Sequence, residues 1–238
     1  MKKPDSGNKK KKATREKKEK KERKNKEDKP DDEGWERTQT KTPGLSIGKD
    51  GEVQIFAKDV DINAKNVVQK LAEIQAQRPR KETDRSNKVK FLEELVRLVI
   101  KNELGPCLEL KVRMSIVFAL YDYNSKNKDY MDDAQFADAI KQTRTIVNRL
   151  NEEEKMYLSD KVQDDEETLS KEPNEEGKWL LRGSLVNTCT KLDTEFFKLL
   201  QNSDQHSEEY RSRLRHNQDI IQLFNEGMRV FSRLCFIF

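Results

Sequence analysis

The chain has 238 residues, 39% of them charged, with a mean hydropathy of −1.03 and a net charge of +4, which is more polar than an ordinary globular protein and long enough for one or two domains. No apolar run approaches the roughly 18 residues of a membrane span, and the N-terminus lacks the apolar stretch of a secretory signal. The cysteines are Cys107, Cys189 and Cys235, far apart and with no CxxC, which argues against a disulfide scaffold or a zinc site and for a reducing compartment, cytoplasmic or nuclear.

The charge is unevenly spread. The first thirty residues carry a net of +9, which leaves −5 on residues 31–238. No Leu, Ile, Val or Phe precedes Leu45. Such a segment cannot bury enough apolar surface to offset its conformational entropy, so residues 1–44 are expected to form a disordered, lysine-rich tail. Its cations, Lys9, Lys10, Lys11, Lys12, Arg15, Lys17, Lys18, Lys20, Lys21, Arg23 and Lys24, are candidates for contact with RNA. A solvated spacer and a nuclear import signal are the other readings of such a run. No aromatic residue interleaves the lysines, so RNA contact would run through phosphates and ignore sequence. Trp35 stands alone in a polar stretch and either docks on a partner or tucks onto its own body.

Residues 45–62 alternate apolar and polar positions around Val53 and Ile55, consistent with a short hairpin about Lys49-Asp50-Gly51 or with an extended linker. An α-helical body is expected over 63–238. Asn63 is placed to cap a helix with Val67, Val68, Leu71 and Ile74 on one face, stopped by Pro79. A second helix starts at Thr83 or Asp84 and carries Leu92, Leu95, Val96 and Val99, with Phe91 and Leu98 widening the stripe. Gly105-Pro106 ends it, the glycine as a left-handed cap and the proline opening the next helix. Residues 107–122 are apolar nearly all round and should be the most buried helix. A turn at Asn124–Asp129 leads to a helix over 132–150 with Phe136, Ala139, Ile140, Val147 and Leu150 facing inward.

Residues 151–178 are acidic and weakly patterned, and read as a mobile connection with one short helix at 152–161. Beyond them Leu185, Cys189, Leu192, Phe196 and Leu199/Leu200 recur three and four apart, one buried helical stripe. A polar break at Asn202-Ser203-Asp204 precedes Ser207, an N-cap followed by Glu208 and Glu209 at the positive end of a helix dipole. Tyr210, Leu214, Ile221, Phe224 and Met228 form the stripe of that last helix. The fold class is all-α, a helical array of helix hairpins behind a basic tail.

Nothing in the chain assembles chemistry. His206 and His216 have no metal-ligand partner of the right kind at i+3 or i+4. No phosphate-binding glycine loop or nucleophile elbow occurs, and no carboxylate pair stands out as acid and base. No catalytic residue, cofactor, metal or small-molecule substrate is expected. Tyr121-Asp122-Tyr123-Asn124 reads as the end of a buried helix with its hydroxyls held by neighbours.

Four blocks, in order, resemble one family. They are Glu33-Gly34-Trp35-Glu36-Arg37 after the lysine run; KLAEIQAQRPRKETDR at 70–85; IVFALYDYN at 116–124, followed by Tyr130-Met131; and LDTEFFKLLQNSDQHSEEY at 192–210. Together they resemble the c subunit family of eukaryotic translation initiation factor three, over residues 9 to 230 and fading between 151 and 178. The resemblance implies a non-catalytic, cytoplasmic scaffold whose helices hold other subunits of the initiation factor complex. Its charged N-terminal region would lie near the small ribosomal subunit and its RNA, and Trp35 would dock on a partner. A free-standing RNA-binding or nuclear adaptor protein is the alternative. The family has an acidic region before the lysine run and a C-terminal PCI domain with a winged helix after further helices. This chain starts at the lysines and ends in an apolar run, RVFSRLCFIF, so a shortened version of a longer scaffold is expected.

Overall fold

The computed structural model describes residues 45–47, 53–57, 60–77, 82–122 and 130–235. Two short strands, β1 (Ser46–Ile47) and β2 (Val53–Gln54), pair antiparallel, with Ser46 opposite Gln54 and Ile47 opposite Val53. This is the hairpin alternative for the segment. Ile55, just after it, is 2% exposed and belongs to the core. The helices α1 (Ala64–Ala76), α2 (Glu82–Lys101), α3 (Pro106–Tyr121) and α4 (Asp133–Glu152) follow, each after the first packed on the one before. After them come β3 (Met156–Ser159), β4 (Trp179–Arg182), α5 (Leu185–Gln201), α6 (Glu208–Leu214) and α7 (His216–Cys235). Helix α4 receives both α5 and α7 on its remaining side. The described residues form a mostly helical array, as expected.

Helix α3 is the centre. It packs against α1, α2, α4 and β4, and its buried residues run around its whole circumference, from Cys107 and Leu108 to Ala119 and Leu120. A helix apolar nearly all round has to be enclosed nearly all round, and here only Phe118, 49% exposed, leaves a large apolar side chain of α3 in water. Its few polar groups are matched. Gln75 Nε2 on α1 donates to Ser115 Oγ at 2.8 Å, and that hydroxyl donates to Lys111 O at 2.9 Å. Buried Glu109 accepts from Arg113 Nε at 2.8 Å.

Helix ends follow local chemistry. Asp132 and Gln135 form a reciprocal capping box at the start of α4. Ser184 Oγ accepts from Asn187 N, and Ser207 Oγ from Tyr210 N, at the starts of α5 and α6. The end of α2 differs from expectation. Glu103, at φ 48°, is the left-handed residue there, and Leu104 N–H bonds Val99 O while Glu103 N–H bonds Ile100 O. That pair of bonds is a Schellman closure with a non-glycine at its left-handed position. Gly105 instead adopts φ 124° before Pro106, pressed against the backbone of Ser170 and Lys171.

Two readings of the later chain are corrected. The short helix expected over 152–161 is the strand β3, which pairs parallel with β4, Met156 opposite Trp179 and Ser159 opposite Arg182. Met156, Leu158 and Leu181 are buried under this ribbon. The acidic stretch between the strands carries a 3-10 turn at Asp164–Glu166, and Thr168 N–H bonds Leu180 O at 2.9 Å. Buried Glu167 pairs with Lys111 of α3. The last helix is also two helices, α6 and α7, broken at Arg215, and its inward stripe is shifted by one residue. Ile220, Leu223 and Val230 face the core, whereas Ile221 and Met228 are exposed. The break resets the phase, so a stripe begun at Tyr210 and Leu214 does not continue on the same face.

Candidate partner-docking groove

The predicted RNA-contacting residues Lys9, Lys10, Lys11, Lys12, Arg15, Lys17, Lys18, Lys20, Lys21, Arg23 and Lys24, and Trp35, lie outside the described residues, as do the turn at 124–129 and Phe236 to Phe238. Tyr121 ends α3 as a half-buried tyrosine with its hydroxyl held, donating to Thr188 O of α5 at 3.1 Å. His206 is exposed in a loop, and His216 sits edge-on to the Phe136 ring, centroids 5.5 Å apart. Among the described residues no three metal-type side chains converge, and no helix is long and apolar enough to cross a membrane.

What the structure does bring together is an apolar groove between α5 and α7. Its α5 wall is Leu185, Val186, Cys189, Thr190 and Asp193, and its α7 wall is Phe224, Gly227, Met228 and Phe231. The groove encloses about 350 Å³. It follows from α7 carrying two adjacent apolar stripes. Ile220, Leu223 and Val230 bury against the array, and Phe224, Met228 and Phe231, a turn or two apart, lie beside them facing α5. Met228 is 60% exposed and Phe197, one turn beyond Asp193 on α5, is 61% exposed. Val186, Ile221 and Phe231 are also large apolar side chains in water on these two helices. Scattered exposed apolar residues are ordinary; five on two neighbouring helices make a patch of the kind that marks an interaction site.

The groove is electrically quiet apart from one group. Burial pushes the Cys189 thiol up to about 11, so it stays neutral in that wall. Among the described residues Asp193 is the single charged residue of the lining. The lysines on its own helix are turned elsewhere: Lys198 Nζ lies 2.8 Å and Lys191 Nζ 3.7 Å from the buried carboxylate of Glu195. Gly227 lowers the floor, and a Cβ there would only touch Leu185 Cδ2 at 3.9 Å. The sequence reading missed Val186, Phe197 and Phe231 as exposed residues. The signal was the excess of apolar positions on α7, more than one buried face can use.

The chain matches the family model described as "Eukaryotic translation initiation factor 3 subunit 8 N-terminus" over residues 1–234. Among curated proteins it is 32% identical over 202 residues to the C subunit of eukaryotic translation initiation factor 3 from Anopheles gambiae, a match covering 85% of this chain and 20% of that protein. The same-named protein of Bombyx mori is 38% identical over 180 residues, covering 76% of this chain and 20% of the relative. That of Xenopus tropicalis is 28% identical over 195 residues, covering 82% of this chain and 20% of the relative. The chain thus spans about a fifth of the length of the curated relatives it matches.

Proposed function

The chain belongs to the family of the N-terminal region of eukaryotic translation initiation factor 3 subunit 8, and from that premise we propose that it is a non-catalytic scaffold component of a cytoplasmic translation initiation complex. The observation that carries the proposal is the family match over residues 1–234. In this reading helix faces hold other subunits of the factor. The lysine tail reaches the small ribosomal subunit and contacts its RNA through phosphates, using Lys9 to Lys12, Arg15, Lys17, Lys18, Lys20, Lys21, Arg23 and Lys24, while Trp35 docks on a partner. Two features support the division of labour. Charge of +9 sits in the first thirty residues, and among the described residues nothing covers the apolar groove of the helical body.

Two measurements test it. If about 6–10 tail cations meet phosphates, affinity for RNA falls by roughly 10³–10⁵ between about 50 and 200 mM salt, and deletion of residues 1–30 removes most of that slope. A salt-independent affinity refutes tail binding. Salt-washed ribosomal preparations test the scaffold role. A subunit held through helix faces stays with its complex at high salt, whereas a free-standing RNA-binding protein leaves.

A further inference from the structure

We propose that the α5–α7 groove seats one amphipathic helix of another polypeptide, with apolar residues at i, i+3 or i+4, and i+7 and a Lys or Arg placed to meet Asp193. The inference rests on the scaffold reading and names the site and partner chemistry that this reading leaves open. The α5 wall from Leu185 to Asp193 and the α7 wall from Phe224 to Phe231 each cover about two helical turns, roughly 12 Å. Two turns accept two or three anchors from one face of a helix.

The occupant is a helix because of where backbone hydrogen bonds can go. An extended peptide laid in this groove would bring unpaired N–H and C=O groups against Leu185, Val186, Phe224, Met228 and Phe231, and among the described lining residues only Thr190, Asp193 and the weakly bonding Cys189 thiol offer side-chain partners. Each buried, unmatched backbone group costs free energy. A helix satisfies its backbone internally and presents only side chains.

The occupant is basic at one point because covering the groove takes water from Asp193. Among the described residues Lys191 and Lys198, the lysines of α5, are held by Glu195, so a partner's cation is the complement this site calls for. A second copy of the chain fits less well. A two-fold axis would oppose groove to groove, two clefts with no ridge to fill them.

The test uses the full 238-residue chain and two synthetic helical peptides of about 18 residues, long enough to hold helical structure. Both carry leucines at the stated spacing. One has Lys at the position facing Asp193 and the other Glu. The chain is expected to bind the Lys peptide more tightly, and Asp193→Lys to invert that preference. Met228→Asp and Val186→Asp are expected to weaken binding about tenfold or more. Ile100→Asp, at an exposed apolar position on α2, serves as the matched control for an added charge and should leave binding unchanged. Melting curves of each variant confirm that the fold is intact. Equal affinity for both peptides, or binding that survives Met228→Asp in a folded protein, overturns the proposal. So does a concentration-dependent dimer that Met228→Asp dissociates, since the occupant is then a second copy. The same variants, followed in purified initiation complexes, separate the two readings. A chain that joins those complexes while Met228→Asp joins equally well sinks the groove alone. A chain that never joins them sinks the scaffold role whatever the peptides show.

Discussion

Arg213 Nε donates to Asp133 Oδ1 at 2.8 Å, joining the short helix α6 to the first turn of α4 across eighty positions of sequence. The residue is 5% exposed, and its guanidinium uses its other donors as well. Nη1 reaches Leu199 O at 3.0 Å and Ser203 Oγ at 2.6 Å, and Nη2 reaches Glu209 Oε1 at 2.5 Å. One cation thus ties the end of α5, the whole of α6 and the start of α4. It also lies over the Tyr130 ring, 5.9 Å from its centroid.

Arg213→Ala should therefore destabilise the body. Asp133 and Glu209 are about half exposed and can regain water, so the loss is less than that of a fully buried pair. About 2 kcal/mol is expected, from charged hydrogen bonds and packing lost together. For a domain of this size that lowers Tm by about 4–8 °C. Arg213→Lys should recover little of it, because one ammonium cannot span the planar fork of four acceptors. A denaturation series on the three proteins checks both statements, and a Lys variant as stable as the wild type would refute the fork.

Gly183→Ala should overpack the site beneath the strand pair. An added Cβ would lie 2.3 Å from Met114 Cε and 2.9 Å from Leu158 Cδ1. Both side chains are buried, so relief requires repacking, at a cost of roughly 1–3 kcal/mol. Met114→Val shortens the offending side chain and should offset much of that cost. The double-mutant cycle is expected to show favourable coupling of at least about 0.5 kcal/mol, and strict additivity would contradict the contact.

Glu103→Gly should stabilise the protein. Glu103 holds a left-handed backbone at φ 48°, which costs an L-residue about 1 kcal/mol and glycine little. Its ion pair with Lys171 joins two exposed side chains and contributes little. The greater freedom of glycine in the unfolded chain takes back part of the gain, so about 0.5 kcal/mol and a rise of about 1–2 °C in Tm are expected. A lower Tm would show that the exchange favours the glutamate.

Stability should fall in alkaline solution. Burial, aided by the Glu167 charge, pushes the Cys107 thiol from about 9 to about 12, and burial pushes Cys189 to about 11 and raises Tyr121. The folded state holds these protons more tightly than the unfolded state. Their contribution is complete below about pH 9 and is lost as pH rises through the folded values. Each group lowers stability by up to about 1.4 kcal/mol per pH unit in that window. Urea midpoints between about pH 8 and 11 measure the slope, and Cys107→Ala should reduce it.

The sequence shows the helices best where apolar residues mark one face or all of them. Helix α3 is legible as a central helix because no polar stripe interrupts it, and Asp132 with Gln135 marks the start of α4. The strands β3 and β4 are not legible. MYLS and WLLR are four residues each, too short for a period, and their partners lie over twenty residues apart. The α5–α7 groove is half legible. The apolar excess on α7 can be read, but which of its two adjacent stripes is buried depends on the break at Arg215. Nor does the run Arg211, Arg213, Arg215 say that its middle member is the one enclosed.

The order in which the elements pack has a consequence for synthesis. Helices α2 to α4 each rest on the helix before, so the contacts of this first part are local and can close as soon as the chain emerges. Helix α4 is different, because its other side is covered by α5 and by α7, which ends at Cys235. Roughly 80 residues separate the end of α4 from the end of α7, about 4–16 s of elongation at typical rates. For that interval Phe136, Ile140 and Val147 belong to a nascent chain whose last layer has not been made. Pausing downstream of α4 should therefore lengthen the exposure of an incomplete core to chaperones, and pausing upstream of it should not.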